Sequence, residues 1–430
     1  MQRVTVTEPQ PWNTPASRGP VGGTVAVPGS KSVTNRALIL SALADGPSVL
    51  QSPLHSRDTD LMVDGLRALG VDVAEHGDSW VVTPGELRGP ATVDVGLAGT
   101  VMRFVPAAAT LATGDVHVDG DPRARERPLA PLIEALRAMG ADVDDGGRGA
   151  LPITVHGKGS LAGGEVAIDA SASSQLVTAL LLPAARWTDG LHLRHVGPRS
   201  VPNAPHLRMT VGMLRDRGVA ATDDRGEWHV APGVIQARDE EIEPDLSATA
   251  PFLAAAAATG GVVRTRWPSD SCQPGAMLPD VLTQFGASTT VDGGMLTVTG
   301  GSLYGVDLDL RDAGELTPVI AAVAALASTP STLTGIGYLR GHETDRLAAL
   351  ARELTGLGAS VDELDDGLVI KPARLSGGTF HTYADHRLVM AAAVIGLVVP
   401  GVDVDDAGAV AKTFPDFVDV WSAFVSGDAS

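Results

Sequence analysis

The chain has 430 residues, 44% hydrophobic and 4% aromatic, with 50 Gly, 29 Pro and a formal net charge of -19 at pH 7. That length exceeds what one hydrophobic core usually serves, so two domains are expected. The acidic balance argues against a nucleic-acid or anionic-membrane partner, which excess Lys and Arg would hold, and the single cysteine, Cys272, excludes an internal disulfide and a Cys-based zinc site.

The N-terminal stretch "MQRVTVTEPQPWNTPASRGP" has no apolar leader-like core, and the longest apolar run, residues 388–400, is too short to cross a bilayer. Together with the lone cysteine this predicts a cytoplasmic protein. "PGSKSVTNRALIL", residues 28–40, then places Lys31, Ser32 and Arg36 at the start of a helix that turns apolar. The next segment, "LMVDGLRALGVDVAEHGDSWVVTPG", reads as amphipathic helix, Gly, β-like run, turn, second β-like run.

That second pattern returns along the chain, with helix-ending glycines at Gly70, Gly140, Gly218, Gly286 and Gly358. Their spacing of about seventy residues marks an internal repeat, and Gly suits the left-handed position that stops a helix and turns the chain into a strand. Alternating with these units are six segments rich in Ala, Leu and Val: "KSVTNRALILSALADG", "GTVMRFVPAAATLATG", "SSQLVTALLLPAARWTDG", "LSATAPFLAAAAATGG", "LTPVIAAVAALASTP" and "DHRLVMAAAVIGLVVPG". Helices apolar on most faces belong inside a domain. The chain therefore reads as an α/β (α+β) protein of six βαβ-containing repeats, three per domain. The short sixth unit needs the N-terminal strand, so the second domain is discontinuous: 30–243 for the first, 1–29 with 244–430 for the second.

The polar starts of the six apolar helices carry the functional signal. Capping accounts for Ser, Thr and Asp there. It does not account for Lys31, Arg36, Arg103, His386 or Arg387, because cations at a helix N-terminus oppose its dipole. Something anionic is expected among them, and a convergence of the six ends would give an acidic protein an electropositive cleft for a multiply charged small molecule.

Other stretches add cations and hydroxyls. "GLAGTVMR", residues 96–103, is a glycine turn able to bring backbone N–H groups to an anion, or simply a tight turn. "DPRARERPL" carries Arg123, Arg125 and Arg127, which suit phosphate and carboxylate recognition or form a solvated patch. "SASSQLVTALL" offers Ser173, Ser174 and Gln175, "GHETDRLAAL" spaces Glu343 and Arg346 as neighbours on a helix face, "YADHRLVMAAA" brings His386 and Arg387 to a buried helix, and "KTFPDF" contributes Lys412. No HExxH, DxDxDG, GxxxxGK[ST] or Rossmann pattern occurs, so no metal or nucleotide site is expected.

Taken in order, "PGSKSVTNRALIL", "GLAGTVMR", "RERP", "SSQ", "DLSATAPFLAAAA", "HETDRL", "YADHRLVMAAA" and "KTFPDF" resemble the 5-enolpyruvylshikimate-3-phosphate synthase family over residues 21–424. The resemblance implies two similar domains, each of three βαβαββ repeats forming an inside-out α/β barrel, with the active site in the cleft between them. It also implies transfer of the enolpyruvyl group of phosphoenolpyruvate to the 5-hydroxyl of shikimate 3-phosphate, with release of phosphate and no metal or organic cofactor. The implied partners are these two small molecules, without nucleic acid or membrane, acting on a monomer; the herbicide glyphosate is the implied competitor of phosphoenolpyruvate.

Carried over by position, Lys31, Gly99, Thr100, Arg127, Gln175, Arg346, Arg387 and Lys412 resemble the phosphoenolpyruvate shell. Lys31, Ser32, Arg36, Ser173, Ser174, Gln175, Asn203, Glu315 and His342 resemble the shikimate 3-phosphate shell. The catalytic set is Glu315, Glu343 and Lys31, with Glu315 standing where the family usually has Asp. Further departures are His342 for Lys, Leu97 for Asn, and Asn203 and His206 for Ser and Tyr. The rival readings are a UDP-N-acetylglucosamine enolpyruvyl transferase, whose usual reactive Cys is missing from residues 120–127, and a non-enzymatic repeat scaffold.

Overall fold

The computed structural model describes residues 9–427 of the chain, so the first eight residues of the N-terminal segment assigned above to the second domain lie outside the described residues. The chain divides into two compact units, Pro28–Glu243 and a second one made of the chain up to Val27 together with the chain from Pro244 onward.

In the Pro28–Glu243 unit the apolar segments form the helices Lys31–Ala42, Gly99–Ala109 and Ser174–Leu181. From their second turn on they are almost wholly buried, and they pack on one another through small and branched side chains. The amphipathic segments form Arg57–Ala68, Ala130–Ala138 and Ala204–Asp216. The second and third buried helices are each the crossover of a parallel strand pair, as parallel strands require. Ala91–Asp94, for example, runs parallel to Thr113–Asp119 across the Gly99–Ala109 helix. After the amphipathic helix, a hairpin adds two antiparallel strands, here Ile153–Lys158 and Val143–Asp144, which completes a βαβαββ repeat.

The same four-stranded order recurs in this unit's other sheets. In the first of them the parallel partner of Ser48–Gln51 is Glu240–Glu241, from the far end of the unit. Each amphipathic helix ends before a glycine with positive φ: 100° at Gly70, 97° at Gly140 and 78° at Gly218, and in the second unit 106° at Gly286 and 100° at Gly358. A side chain at such a position would clash with its own backbone, which is why glycine marks the period.

The other unit repeats the scheme around the buried helices Ala250–Thr259, Thr317–Leu326 and His386–Val398. Gly22–Val25, from the N-terminal segment, runs parallel to Val262–Arg266. The last sheet has three strands: Gly378–Phe380 parallel to Val402–Val404, and Trp12–Asn13 antiparallel to the latter. The sixth repeat thus lacks a hairpin of its own, and the N-terminal strand takes one of the vacant places. The final helix, Phe417–Ser426, is anchored by Phe417, Trp421 and Phe424 around Phe252, with ring centroids 5.3 to 5.9 Å apart, so much of the scarce aromatic content closes this core. No helix among the described residues is long and apolar enough to cross a membrane.

One buried carboxylate ties a repeat helix to its hairpin. Asp145 accepts from Arg137 Nη2 at 2.7 Å and from the backbone N–H groups of Gly147 and Gly149 at 3.0 and 2.6 Å. The Arg137 hydrogen bond, then that from Gly149, outweigh burial and hold its pKa well below the usual carboxylate range. A depressed folded pKa means stability that is complete above the unfolded value of about 4 and is lost as pH falls toward the folded one. Asp145→Asn is therefore expected to cost about 1.5–3 kcal/mol at pH 7, with a smaller deficit at about pH 3 that closes only below the depressed folded pKa. Urea midpoints at the two pH values test this.

Candidate active site

In the Pro28–Glu243 unit, the first turns of the three buried helices touch one another. Ser30 caps the first helix, and the next residue, Lys31, extends its ammonium to Asp58 Oδ2 at 3.2 Å. Asn35 Nδ2 donates to Thr100 Oγ1 of the second helix at 2.8 Å. Arg36 is 1% exposed and donates from Nε to Thr210 Oγ1 and from Nη1 to the Ser32 carbonyl, both at 2.8 Å, with its guanidinium 5.6 Å from the Phe104 ring centroid. Ser173 caps the third helix by accepting from the Gln175 N–H at 3.2 Å, and Ser174 begins it.

Gly99 is the point of closest approach. It opens the second buried helix after Ala98, whose side chain can make no cap. A Cβ built on it would lie 3.0 Å from each of Arg103 Nη1, Arg127 Nη2 and Gln175 Oε1. The missing side chain lets these three groups meet over an uncapped helix end, where Arg103 Nη1 donates to Gln175 Oε1 at 2.8 Å. Arg127 Nη1 donates to the Leu97 carbonyl at 3.2 Å, while its Nε is buried without a hydrogen-bond partner among the described residues. Two adjacent guanidiniums and a free helix end form a setting for an anion.

The arginine-rich stretch separates by position. Arg123 pairs with Glu126 and Arg125 with Asp119 at exposed sites, whereas Arg127 is buried. Asn203 stands at the N-cap of Ala204–Asp216 with φ of 54°, a left-handed conformation that Asn tolerates better than most residues. The His206 carbonyl accepts from Thr210 Oγ1 at 2.8 Å and lies 3.4 Å from Arg36 Nη2, which sets this helix start beside Arg36.

In the other unit the charges alternate in sign. Glu315 lies in the 3₁₀ turn Gly314–Leu316 that leads into the Thr317–Leu326 helix, and its Oε2 accepts from Arg387 Nη2 at 3.2 Å and from Ser247 Oγ at 3.3 Å. Arg387 Nε and Nη1 are buried without hydrogen-bond partners among the described residues. Such donors cost free energy until water or a ligand takes them, so two faces of the guanidinium point to an anion. Lys412 Nζ donates to Glu343 Oε1 at 2.6 Å, and Glu343 Oε2 accepts from Arg346 Nη2 at 3.0 Å.

Arg346 is held on several sides. Its Nε and Nη2 donate to the two oxygens of Asp385 at 2.7 and 3.2 Å, and Nη1 lies 3.3 Å from His342 Nδ1. Burial opposes its charge, but the carboxylates of Asp385 and Glu343 outweigh that penalty and raise its pKa, so the guanidinium stays charged. Asp385 also caps His386–Val398 by accepting from the Arg387 N–H at 2.9 Å. The spacing of Glu343 and Arg346 in the sequence predicts both on one helix face. The structure corrects this: Asp385's partner Arg346 begins the Arg346–Gly356 helix, with Asp345 as its cap, and Glu343 precedes it in the loop.

Each unit therefore gathers its own share of the expected residues. Lys31, Ser32, Arg36, Gly99, Thr100, Arg127, Ser173, Ser174, Gln175 and Asn203 cluster at the helix starts of one. Glu315, His342, Glu343, Arg346, Arg387 and Lys412 cluster in the other. Sequence reasoning missed the groups that hold these in place: Asp58, Ser247 and Asp385. Asp385 stands directly before "HRL", where an N-cap is expected, and Ser247 lies within "DLSATAP", so both had a local signal. Asp58, 27 residues from Lys31, had none.

The family described as EPSP synthase (3-phosphoshikimate 1-carboxyvinyltransferase) matches residues 15–421. A 3-phosphoshikimate 1-carboxyvinyltransferase of Kocuria rhizophila is 52% identical over 97% of this chain and 97% of its own length. Among solved structures, the EPSP synthase of Acinetobacter baumannii superposes with a TM-score of 0.79 at 24% identity, covering 96% of this chain and 98% of the other. The enolpyruvyl transferase NikO of Streptomyces tendae gives 0.74 at 16% identity, covering 97% and 98%. These two likenesses bear on the fold, which is that of the enolpyruvyl transferases.

Proposed function

Since the chain belongs to the EPSP synthase (3-phosphoshikimate 1-carboxyvinyltransferase) family, we propose that it transfers the enolpyruvyl group of phosphoenolpyruvate to the 5-hydroxyl of shikimate 3-phosphate and releases phosphate, in the shikimate pathway to chorismate and the aromatic amino acids. The observation that carries the residue roles is Glu315 paired with Arg387, a carboxylate beside a buried guanidinium with two donors unmet among the described residues.

Glu315 takes the proton of the 5-hydroxyl as its oxygen attacks C2 of phosphoenolpyruvate. C3 of the enol gains a proton as the C2–O bond forms, giving a tetrahedral intermediate that carries both a phosphate and a carboxylate. Loss of phosphate from C2 and of a proton from C3 then regenerates the enol ether. Glu343 and Lys31 handle the proton added to and removed from C3. The contacts of Glu343 to Lys412 and Arg346 hold that carboxylate in place, and the Asp58 contact aims Lys31.

Arg127, Gln175, Arg346, Arg387 and Lys412, with the backbone at Gly99 and Thr100, hold phosphoenolpyruvate and stabilise the charge of the intermediate. Ser32, Arg36, Ser173, Ser174, Asn203 and His342 hold shikimate 3-phosphate. The roles draw on residues of both units, and the enzyme works as a cytoplasmic monomer.

Phosphate release from phosphoenolpyruvate tests the reading, with shikimate 3-phosphate, UDP-N-acetylglucosamine or no acceptor present. Release with shikimate 3-phosphate alone is expected, and release with the sugar nucleotide instead would move the chain to the rival reaction. Gly99→Ala adds a methyl 3.0 Å from Arg103, Arg127 and Gln175. Overpacking of about 1–3 kcal/mol is expected to raise KM for phosphoenolpyruvate about tenfold or more and to weaken competition by glyphosate in parallel. Unchanged KM and inhibition would remove Gly99 from the phosphoenolpyruvate shell.

A further inference from the structure

We propose that His192, His229 and Glu227 form a binding site for one divalent transition-metal ion of the zinc class on the outer face of the sheet that contains Leu191–His195 and Glu227–Val230. The site stands apart from the residues assigned to the reaction and does not depend on that reading.

The two strands alternate, with Leu191, Leu193, Trp228 and Val230 buried, so the intervening side chains share the other face of the sheet. The antiparallel register sets His192 opposite His229 and Arg194 opposite Glu227. The imidazole rings stack with centroids 3.8 Å apart and planes 18° from parallel. Arg194, the cation facing Glu227 across the strands, reaches instead to Glu165 at 3.3 Å. Glu227 Oε2 lies 3.8 Å from His192 Nε2, too far for a hydrogen bond. That Nε2 is shut off from solvent and has no hydrogen-bond partner among the described residues, a cost that a metal bond would remove.

One ligand atom from each of the three residues lies within 4.8 Å of the others. Metal–ligand bonds of about 2.0–2.2 Å in a tetrahedron put ligand atoms roughly 3.4 Å apart, so the cluster must draw in by somewhat more than 1 Å. Glu227 and His229 are exposed and free to make that rotamer adjustment. Two imidazoles and a carboxylate are donors that suit zinc and its neighbours rather than calcium or magnesium. A groove of about 550 Å³ beside His192 and His229 leaves room for water or another ligand in the fourth position. No ligand spacing shows in the sequence, because the two histidines are brought together only by the strand register.

The full-length protein, stripped with a chelator, is titrated with zinc chloride by calorimetry at pH 7.5. One equivalent is expected to bind, with His192→Ala and His229→Ala each weakening the affinity by at least about 30-fold through loss of chelation. His156→Ala, at the exposed pair with Asp115, is expected to leave it unchanged. Copper(II) bound at the same site should show two nitrogen ligands by electron paramagnetic resonance, and one in either variant. Phosphate release by the two variants should match wild type, which shows that they fold. Absence of binding at millimolar zinc would overturn the proposal, as would equal affinity in wild type and both variants.

Discussion

Glu315→Gln is expected to lower kcat for phosphate release by about 10²–10⁴-fold, the range associated with loss of a positioned general base. Gln keeps the size of the side chain and can still accept from Ser247 and Arg387, the partners at 3.3 and 3.2 Å, so melting should change little. The direction of KM separates chemistry from binding. Removing the negative charge leaves Arg387 wholly available to an anionic substrate, so KM for phosphoenolpyruvate should hold or fall while kcat collapses. Glu315→Asp, the residue usual in the family, should retain far more activity than the amide. A kcat within a factor of a few of wild type in Glu315→Gln would remove Glu315 as the base.

Arg346→Met is expected to have the largest effect on stability. The guanidinium is 2% exposed and neutralises Asp385, whose side chain is wholly buried, together with Glu343 at 8%. Breaking a buried ion pair from one side strands the other charge, at a cost of about 3–5 kcal/mol. The sign of the pH dependence follows. A stranded buried carboxylate has its folded pKa raised, so the folded state gains protons relative to the unfolded one as pH falls. The deficit of Arg346→Met should therefore be greatest at neutral pH and shrink below about pH 6, where the raised carboxyl can be protonated. Denaturant midpoints at pH 5 and pH 7.5 decide this, and a deficit that is independent of pH would mean that Asp385 is not left charged.

Much of the fold was legible because it is written locally. The six apolar segments and their glycine punctuation depend on neighbours within a few residues, and every one became a helix or helix end near its expected place. The candidate site was legible in part. Its residue types stood out because cations oppose the dipole at a helix start, yet their contacts were not visible. Nothing local distinguishes Arg127 from Arg123 and Arg125, three arginines two residues apart, of which only Arg127 is buried against the Leu97 carbonyl. Likewise the spacing of Glu343 and Arg346 suits one helix face, and the ion pair exists, but the cap at Asp345 starts the helix after Glu343.

Local patterning set the period of the repeat, the buried helices and where they stop, because 3.6-residue periodicity and the backbone freedom of glycine act within one or two turns. Packing between distant segments set that Glu240–Glu241 pairs with Ser48–Gln51, that Asp385 holds Arg346 across 39 residues, and that His192 faces His229. These choices rest on strand register and on which buried charge finds an opposite charge. Both are settled by the packing of segments distant in the chain, where desolvation makes the difference between a right and a wrong partner several times larger than any local preference.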